Sequence, residues 1–226
     1  MINESLRQEV LETARSLKKY GVIWMAGGTV CARDPESSRV VVTPSGMDYD
    51  ELTPADMIVT DMDMRVIDGK HRPSVAMNLW TAILHARPDI HAVVHTHSPY
   101  ATAFSVINEP IPIITETQAD WFGKPIPVTR YAHIEDAHFV TAPVEALGDG
   151  FAVLLGQHGP ITVGETLAHA LERAITLEEA AKTYSIANSL GQPLIFSEAQ
   201  AKRSFDYYHS RYGQRTDVTS QGELNC

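Results

Sequence analysis

Two histidines at the end of a short apolar segment constrain this chain more than any other feature. Residues 91–94 predict a short buried strand, and His95 and His97 follow it with one residue between them. On a strand this spacing places both imidazoles on one face, about 6–7 Å apart at Cα, close enough to share one ion. Two imidazoles leave a divalent metal ion in need of at least one more ligand. The alternative is a pair of histidines that binds no ion.

A third histidine has a similar setting. His158 follows the apolar segment 151–155, which predicts another strand, and it lies between Gly156 and Gly159. Small neighbours leave room for an ion or a ligand beside the ring, so we predict His158 as the third metal ligand. Three histidines with open coordination positions are typical of a catalytic metal site rather than a closed structural one.

Composition excludes several classes of protein. The 226 residues suffice for one domain with a substantial core, and 44% hydrophobic content is typical of a soluble globular protein. We expect no membrane span, because no apolar run is long enough. We also expect no signal peptide, because the N-terminal residues do not have a basic region followed by an apolar core. With two cysteines we expect no disulfide framework and a cytoplasmic location. The net charge of -10 argues against nucleic acid as a partner.

The order of predicted elements indicates a single α/β domain. Helices are expected over 5–20, 74–87 and 166–190, with mostly strands between the first two. Residues 111–114 predict an edge strand because a proline interrupts them. The following segment, 115–123, combines two carboxylates with two aromatic residues and is predicted to be a binding loop. The polar residues 215–226 are expected to form a flexible tail after a domain over 1–214.

Three short segments carry hydrogen-bond donors that suit an anion such as phosphate. Gly28 and Thr29 belong to a small-residue loop whose amides an anion can approach closely. Ser45 and Gly46 form a turn, and Ser74 is placed at the start of the helix after Pro73. Each segment also has an ordinary explanation, either a tight hairpin or a plain helix cap.

Taken together and in this order, these motifs resemble the class II aldolase and adducin family, which includes fuculose-phosphate aldolases and ribulose-phosphate 4-epimerases. The resemblance covers roughly residues 5–214. The motifs that carry it are Thr43-Pro44-Ser45-Gly46, Arg72-Pro73-Ser74, His95-Thr96-His97-Ser98, His158-Gly159-Pro160 and Tyr212-Gly213-Gln214.

The resemblance implies a central, mainly antiparallel sheet flanked by helices, in a homotetramer with active sites between subunits. It also implies a divalent metal on His95, His97 and His158, with Zn²⁺ expected first and Mn²⁺ or Co²⁺ as alternatives. Such an ion polarises a substrate carbonyl and stabilises the enediolate that is left when a carbon–carbon bond breaks.

Within the family, the segment around Asp120 and the C-terminal motif resemble the 4-epimerase branch. There an aspartate and a tyrosine, usually from the adjacent subunit, transfer protons, and the matching residues here are Asp120 and Tyr212. The chain departs from the family at Ala76, where a glutamate or aspartate is usual, and at Thr29, where asparagine is usual. We therefore hypothesise that Glu116 or Asp120 transfers the proton that Ala76 cannot.

The predicted function is that of a metal-dependent aldolase acting on a small hydroxylated keto compound, expected to be a sugar phosphate. Two other enzyme readings remain, a ribulose-phosphate-type 4-epimerase and a decarboxylase of a non-phosphorylated acid. A non-catalytic interaction module like the adducin head is the alternative from a different class. The expected partner is a small-molecule substrate, with neither nucleic acid nor membrane involved.

Overall fold

The computed structural model describes residues 1–213, so Gln214 and the expected tail 215–226 lie outside the described part of the chain. Seven strands form one sheet, and every neighbouring pair is antiparallel. The strands are β1 (Gly28–Arg33), β2 (Val40–Val42), β3 (Ile58–Thr60), β4 (Val66–Asp68), β5 (Ala92–Thr96), β6 (Ala152–Leu155) and β7 (Gly159–Gly164). The prediction of an α/β fold with a mainly antiparallel sheet is confirmed.

The strand order is β4-β3-β2-β1-β5-β7-β6, which places β5 inside the sheet between β1 and β7. In the register of these strands, His95 lies opposite Thr29 on one side and Ile161 on the other. A candidate metal ligand and a candidate phosphate donor are thus direct neighbours across the β1–β5 pair. The sequence separates these two residues widely, and only the pairing of the strands brings them together.

Within residues 1–213, seven helices pack around the sheet or on one another, and a short 3₁₀ helix (Pro54–Asp56) precedes β3. Successive residues of β5 face opposite layers, as the pleat of a strand requires. Val94 packs in a core with residues of α1 and α6, whereas Val93 packs with residues of α2 and α5. The helices are α1 (Glu4–Lys19), α2 (Met77–Ala86), α3 (Pro99–Ile107), α4 (Glu116–Phe122), α5 (His138–Leu147), α6 (Leu167–Leu190) and α7 (Glu198–Arg211).

Helix α4 corrects the prediction of a loop over 115–123. The Thr115 hydroxyl caps the helix by accepting from the backbone N–H of Gln118 at 3.2 Å, and Gly123 ends it with a φ of 64°. Three side chains of this short helix, the buried Ala119 and Phe122 and the half-buried Trp121, pack in a core shared with α3, α6 and α7. Tertiary packing therefore makes a helix of a segment whose composition is typical of a loop.

Two further predictions about secondary structure are wrong. The expected edge strand over 111–114 forms only an isolated bridge between Ile111 and Ile126. Helix α2 begins at Met77 instead of close to Ser74, with Ala76 as its N-cap. Among the described residues, no helix combines the length and the apolar character that a membrane span requires.

Candidate metal centre

The three predicted metal ligands meet at one point beside the sheet. His95 belongs to β5, His97 follows that strand directly, and His158 lies in the turn between β6 and β7. The ring centroids are 4.8 Å apart for His95–His97 and for His95–His158, and 5.0 Å apart for His97–His158. One nitrogen of each ring lies within 4.8 Å of the other two.

A hydrogen bond orients the His95 ring. Its Nδ1 lies 2.9 Å from the carbonyl oxygen of Pro160, and because a carbonyl only accepts, Nδ1 carries the proton. The Nε2 atom is then unprotonated and lies 3.0 Å from Nε2 of His97. An imidazole ring whose Nδ1–H is held by a backbone carbonyl and whose Nε2 is unprotonated is in the usual state of a metal-bound histidine.

Burial keeps the three imidazoles neutral. The pKa of His95 is lowered well below 6.5 by desolvation, and the charges of His158 and His97 lower it further. Desolvation also lowers the pKa of His97, and desolvation together with the charge of His97 lowers that of His158. Neutral imidazoles bind a metal ion without first losing a proton. The donor set and its protonation state therefore fit a divalent cation.

Two glycines permit the close packing around the histidines. A Cβ on Gly28 would lie 2.6 Å from the carbonyl oxygen of His95. A Cβ on Gly159 would lie 2.4 Å from the carbonyl oxygen of Thr96 and 3.1 Å from the His97 ring. Any larger residue at either position has to displace the backbone that carries the candidate metal ligands.

A cavity of about 250 Å³ opens onto the histidines. The structure brings all five predicted phosphate-binding residues to the wall of this cavity, together with the three histidines. Those five residues are Gly28, Thr29, Ser45, Gly46 and Ser74. Segments from five separate parts of the chain therefore line one site of a size that suits a small molecule.

Ser74 contributes in a different way from the predicted helix cap. Its hydroxyl oxygen accepts from the Trp80 indole N–H at 3.1 Å and lies 3.2 Å from the Thr29 hydroxyl. Ser74 thus precedes the helix in a short turn, where its side chain joins the wall of the cavity to α2.

The rest of the cavity wall was not predicted from the sequence. Trp80 lies on the buried face of α2. Helical periodicity could have predicted this position, because Trp80 precedes the apolar Ile83 by three residues. The loop 131–134 and Phe139 have no such signal, because they reach the cavity only through the packing of α5. The additional lining side chains are Ala26, Pro44, Val75, Ala76, Trp80, Tyr131, Ala132, His133, Ile134 and Phe139.

The three predicted proton-transfer residues lie outside this cavity within one chain. Glu116 is exposed on the first turn of α4, beside Arg203 and Tyr207 of α7. Asp120 accepts a hydrogen bond of 2.6 Å from the Ser204 hydroxyl. Tyr212, at the end of α7, stacks on Tyr208, which itself contacts Trp121 beside Asp120. These residues form a second group on the surface of α4 and α7.

The chain matches the model of the class II aldolase and adducin N-terminal domain over residues 8–185. It belongs to this family. The chain is 33% identical over 202 residues to the L-ribulose-5-phosphate 4-epimerase UlaF of Salmonella paratyphi B, an alignment that covers 84% of this chain and 89% of the epimerase. The prediction that this chain is an enzyme agrees with the similarity to this relative, which is itself an enzyme.

Solved structures of the family share the fold. An L-fuculose 1-phosphate aldolase superposes with a TM-score of 0.88 at 26% identity, covering 92% of this chain and 98% of the aldolase. YgbL of Escherichia coli, described as a putative aldolase/epimerase/decarboxylase, superposes with a TM-score of 0.81 at 26% identity. That match covers 91% of this chain and all of YgbL. The similarities therefore establish the family and leave the reaction open between these classes.

Proposed function

We propose that this chain is a divalent-metal-dependent aldolase that cleaves a carbon–carbon bond in a small hydroxylated keto compound, with a sugar phosphate as the expected substrate. The observation that carries the proposal is the single cavity that joins three neutral histidines to five small donors of hydrogen bonds. A metal site and an anion site in one cavity suit a substrate with a carbonyl at one end and an anionic group at the other.

The three histidines would hold the ion, for which we propose Zn²⁺ because neutral imidazoles suit it. A bound divalent cation supplies a Lewis acid for the carbonyl and neighbouring hydroxyl oxygens and stabilises the charge that develops as the bond breaks. The Pro160 carbonyl keeps His95 in the tautomer that this requires. The buried side of the cavity, with Trp80 and Phe139, excludes water from the reacting carbons.

Phosphate recognition is assigned to hydroxyl and amide donors. Thr29 and Ser74 present side-chain hydroxyls, and the Ser45–Gly46 turn adds further N–H and hydroxyl groups. Lysine and arginine are missing from the cavity wall as far as the chain is described, so this part of the site binds an anion through hydrogen bonds alone.

Proton transfer is assigned to Asp120 and Tyr212, with Glu116 as the further candidate. Because all three lie on the α4–α7 surface, outside the cavity of their own chain, the proposal requires that they act in the cavity of a neighbouring copy. It therefore includes the homotetramer with active sites between subunits that the family resemblance implies. The cytoplasmic location expected from the composition belongs to the same proposal.

A 4-epimerase is the second candidate, and a specific observation favours it. The similar UlaF protein is a 4-epimerase, and Asp120 and Tyr212 match the residues on which the resemblance to that branch rests. An epimerase breaks the same bond and forms it again on the opposite face of the carbonyl fragment. The two activities therefore differ in whether the fragment is released.

The test is to incubate the metal-loaded protein with ketose 1-phosphates, L-ribulose 5-phosphate and non-phosphorylated hydroxy keto acids, and to follow the products by NMR. Released carbonyl fragments support the aldolase, an inverted C4 centre supports the epimerase, and carbon dioxide from an acid indicates a decarboxylase instead. Chelation of the metal should abolish turnover. The absence of turnover in every mixture, with metal bound, would contradict an enzymatic function.

Variants on the α4–α7 surface test the proton-transfer residues. We expect Asp120→Asn to lower kcat about 10²-fold or more, within the usual range for an acid–base group. Asp206→Asn is the matched control, because Asp206 is an exposed carboxylate of α7 whose ion-pair partner in the described part of the chain is Lys202. Full turnover in both Glu116→Gln and Asp120→Asn would refute the assignment of proton transfer to these carboxylates.

A further inference from the structure

A chain of hydrogen bonds connects Trp80 to the cavity through two hydroxyl groups. The Trp80 indole N–H donates to Ser74 Oγ at 3.1 Å, and Ser74 Oγ lies 3.2 Å from Thr29 Oγ1. The exposed fractions of Trp80, Ser74 and Thr29 are 1%, 8% and 7%. All three residues nevertheless line the cavity that holds the histidines. Water therefore competes little with these bonds.

The direction of this chain follows from the number of lone pairs on Ser74. Its oxygen also accepts from the backbone N–H of Ala76 at 3.4 Å, so two N–H donors occupy its two lone pairs. Ser74 must then donate its own proton to Thr29 Oγ1. The Thr29 hydroxyl proton has no acceptor among residues 1–213, so it is free to bind a ligand in the cavity.

Trp80 also contacts the metal centre. Its ring lies 5.4 Å from the His95 ring, measured between centroids. The ring of Trp80 therefore lies beside a proposed metal ligand, and its N–H fixes the direction of the Ser74–Thr29 hydrogen bond. These two contacts can be separated experimentally, because phenylalanine keeps an aromatic ring and lacks the N–H.

We propose that Trp80 is a positioning residue whose indole N–H directs the Ser74–Thr29 chain, so that the Thr29 hydroxyl donates to an anionic oxygen of the substrate. This inference rests on the proposed function in one respect, namely that the substrate carries such an oxygen. Phosphate and carboxylate oxygens share the chemistry that an O–H donor recognises. Without the indole N–H, Thr29 is free to donate to Ser74 instead, and the ligand loses its donor.

The test is a double-mutant cycle read out by anion binding. The dissociation constants of inorganic phosphate and of acetate are measured by calorimetry for the metal-loaded wild type, Trp80→Phe, Thr29→Val and the double variant. Repeating the titrations with metal-stripped protein identifies any anion that binds only at the metal. Thr29→Ser, which keeps the hydroxyl, is the conservative control.

We expect Trp80→Phe to weaken binding of the preferred anion about tenfold to a hundredfold, the scale of one hydrogen bond to a charged group. In the Thr29→Val background the same substitution should have no further effect, because the donor that it directs is already gone. Thr29→Ser should bind like the wild type. Metal content should stay the same in Trp80→Phe.

Three results would overturn the proposal. The first is unchanged anion binding in Trp80→Phe, and the second is an equal loss with and without the Thr29 hydroxyl, which a purely structural effect would produce. The third is a wild type that binds neither phosphate nor acetate. The proposed reaction stands separately in that case, because metal-dependent cleavage is measured with the substrates themselves.

Discussion

The buried carboxylate of Glu178 connects the long helix α6 to the start of α3, and its removal should destabilise the fold next to the metal centre. Its two oxygens accept from the backbone N–H groups of Tyr100 and Ala101, each at 2.9 Å. These amides belong to the first turn of α3, where no intrahelical acceptor exists for them. The helix begins only two residues after His97.

The magnitude follows from these two bonds. Hydrogen bonds to a charged group contribute about 1.5–3 kcal/mol each, and glutamine keeps one acceptor oxygen while losing the other. We therefore expect Glu178→Gln to lower the free energy of unfolding by about 2 kcal/mol, and the melting temperature by about 4–8 °C for a chain of this size. Metal binding should weaken as well, because the loosened turn carries His97.

Urea and thermal unfolding at a fixed protein concentration measure this effect. The matched control is Glu179→Gln on the neighbouring position of α6, where the carboxylate is exposed and lies 4.0 Å from Lys182. The control should change the free energy of unfolding by less than about 0.5 kcal/mol. Equal stabilities for the two variants would refute the claim that Glu178 fixes the start of α3.

Three further predictions concern the metal centre and its surroundings. Folding lowers the pKa of the three histidines below their ordinary value of 6.5, so the unfolded chain binds more protons than the folded chain as the pH falls below 6.5. Metal-free protein should therefore lose stability below pH 6.5. A pH series of urea unfolding measures this loss, and a rise in stability would contradict it. Gly159→Ala should lower the free energy of unfolding by about 1–3 kcal/mol and weaken metal binding, because the added Cβ would meet the Thr96 carbonyl. Gly191→Ala, where the added Cβ has open space around it, is the neutral control in the same unfolding assay. Tyr212→Phe should lower kcat about 10²-fold with unchanged metal content, and full turnover would remove Tyr212 from the proton-transfer group.

The three-histidine cluster could be predicted from the sequence because its signal is local. The spacing of His95 and His97 after a strand fixes which face they share, and the glycines around His158 indicate room beside its ring. The sheet and the long helices α1 and α6 follow from periodicity for the same reason. The structure places one ring nitrogen of each histidine within 4.8 Å of the other two, as the hypothesis of a shared ion requires.

The remainder depends on tertiary contacts that no local pattern records. Helix α4 has the composition of a loop and is stabilised by its core neighbours and by the Thr115 cap. The loop that carries Tyr131 and His133 reaches the cavity because of how α5 packs on α2. The hydrogen bond from the Trp80 indole to Ser74 could not be predicted either, because it forms across the first turn of α2.

The most direct test of the account is the metal content of the purified protein, measured by mass spectrometry of the metals for the wild type, His158→Ala and His85→Ala. His158 belongs to the three-histidine cluster, whereas His85 is exposed on α2 and serves as the control. The account predicts about one transition-metal ion per chain in the wild type and in His85→Ala, and a loss of the ion together with turnover in His158→Ala. A His158→Ala variant that keeps both its metal and its turnover would contradict the three-histidine centre.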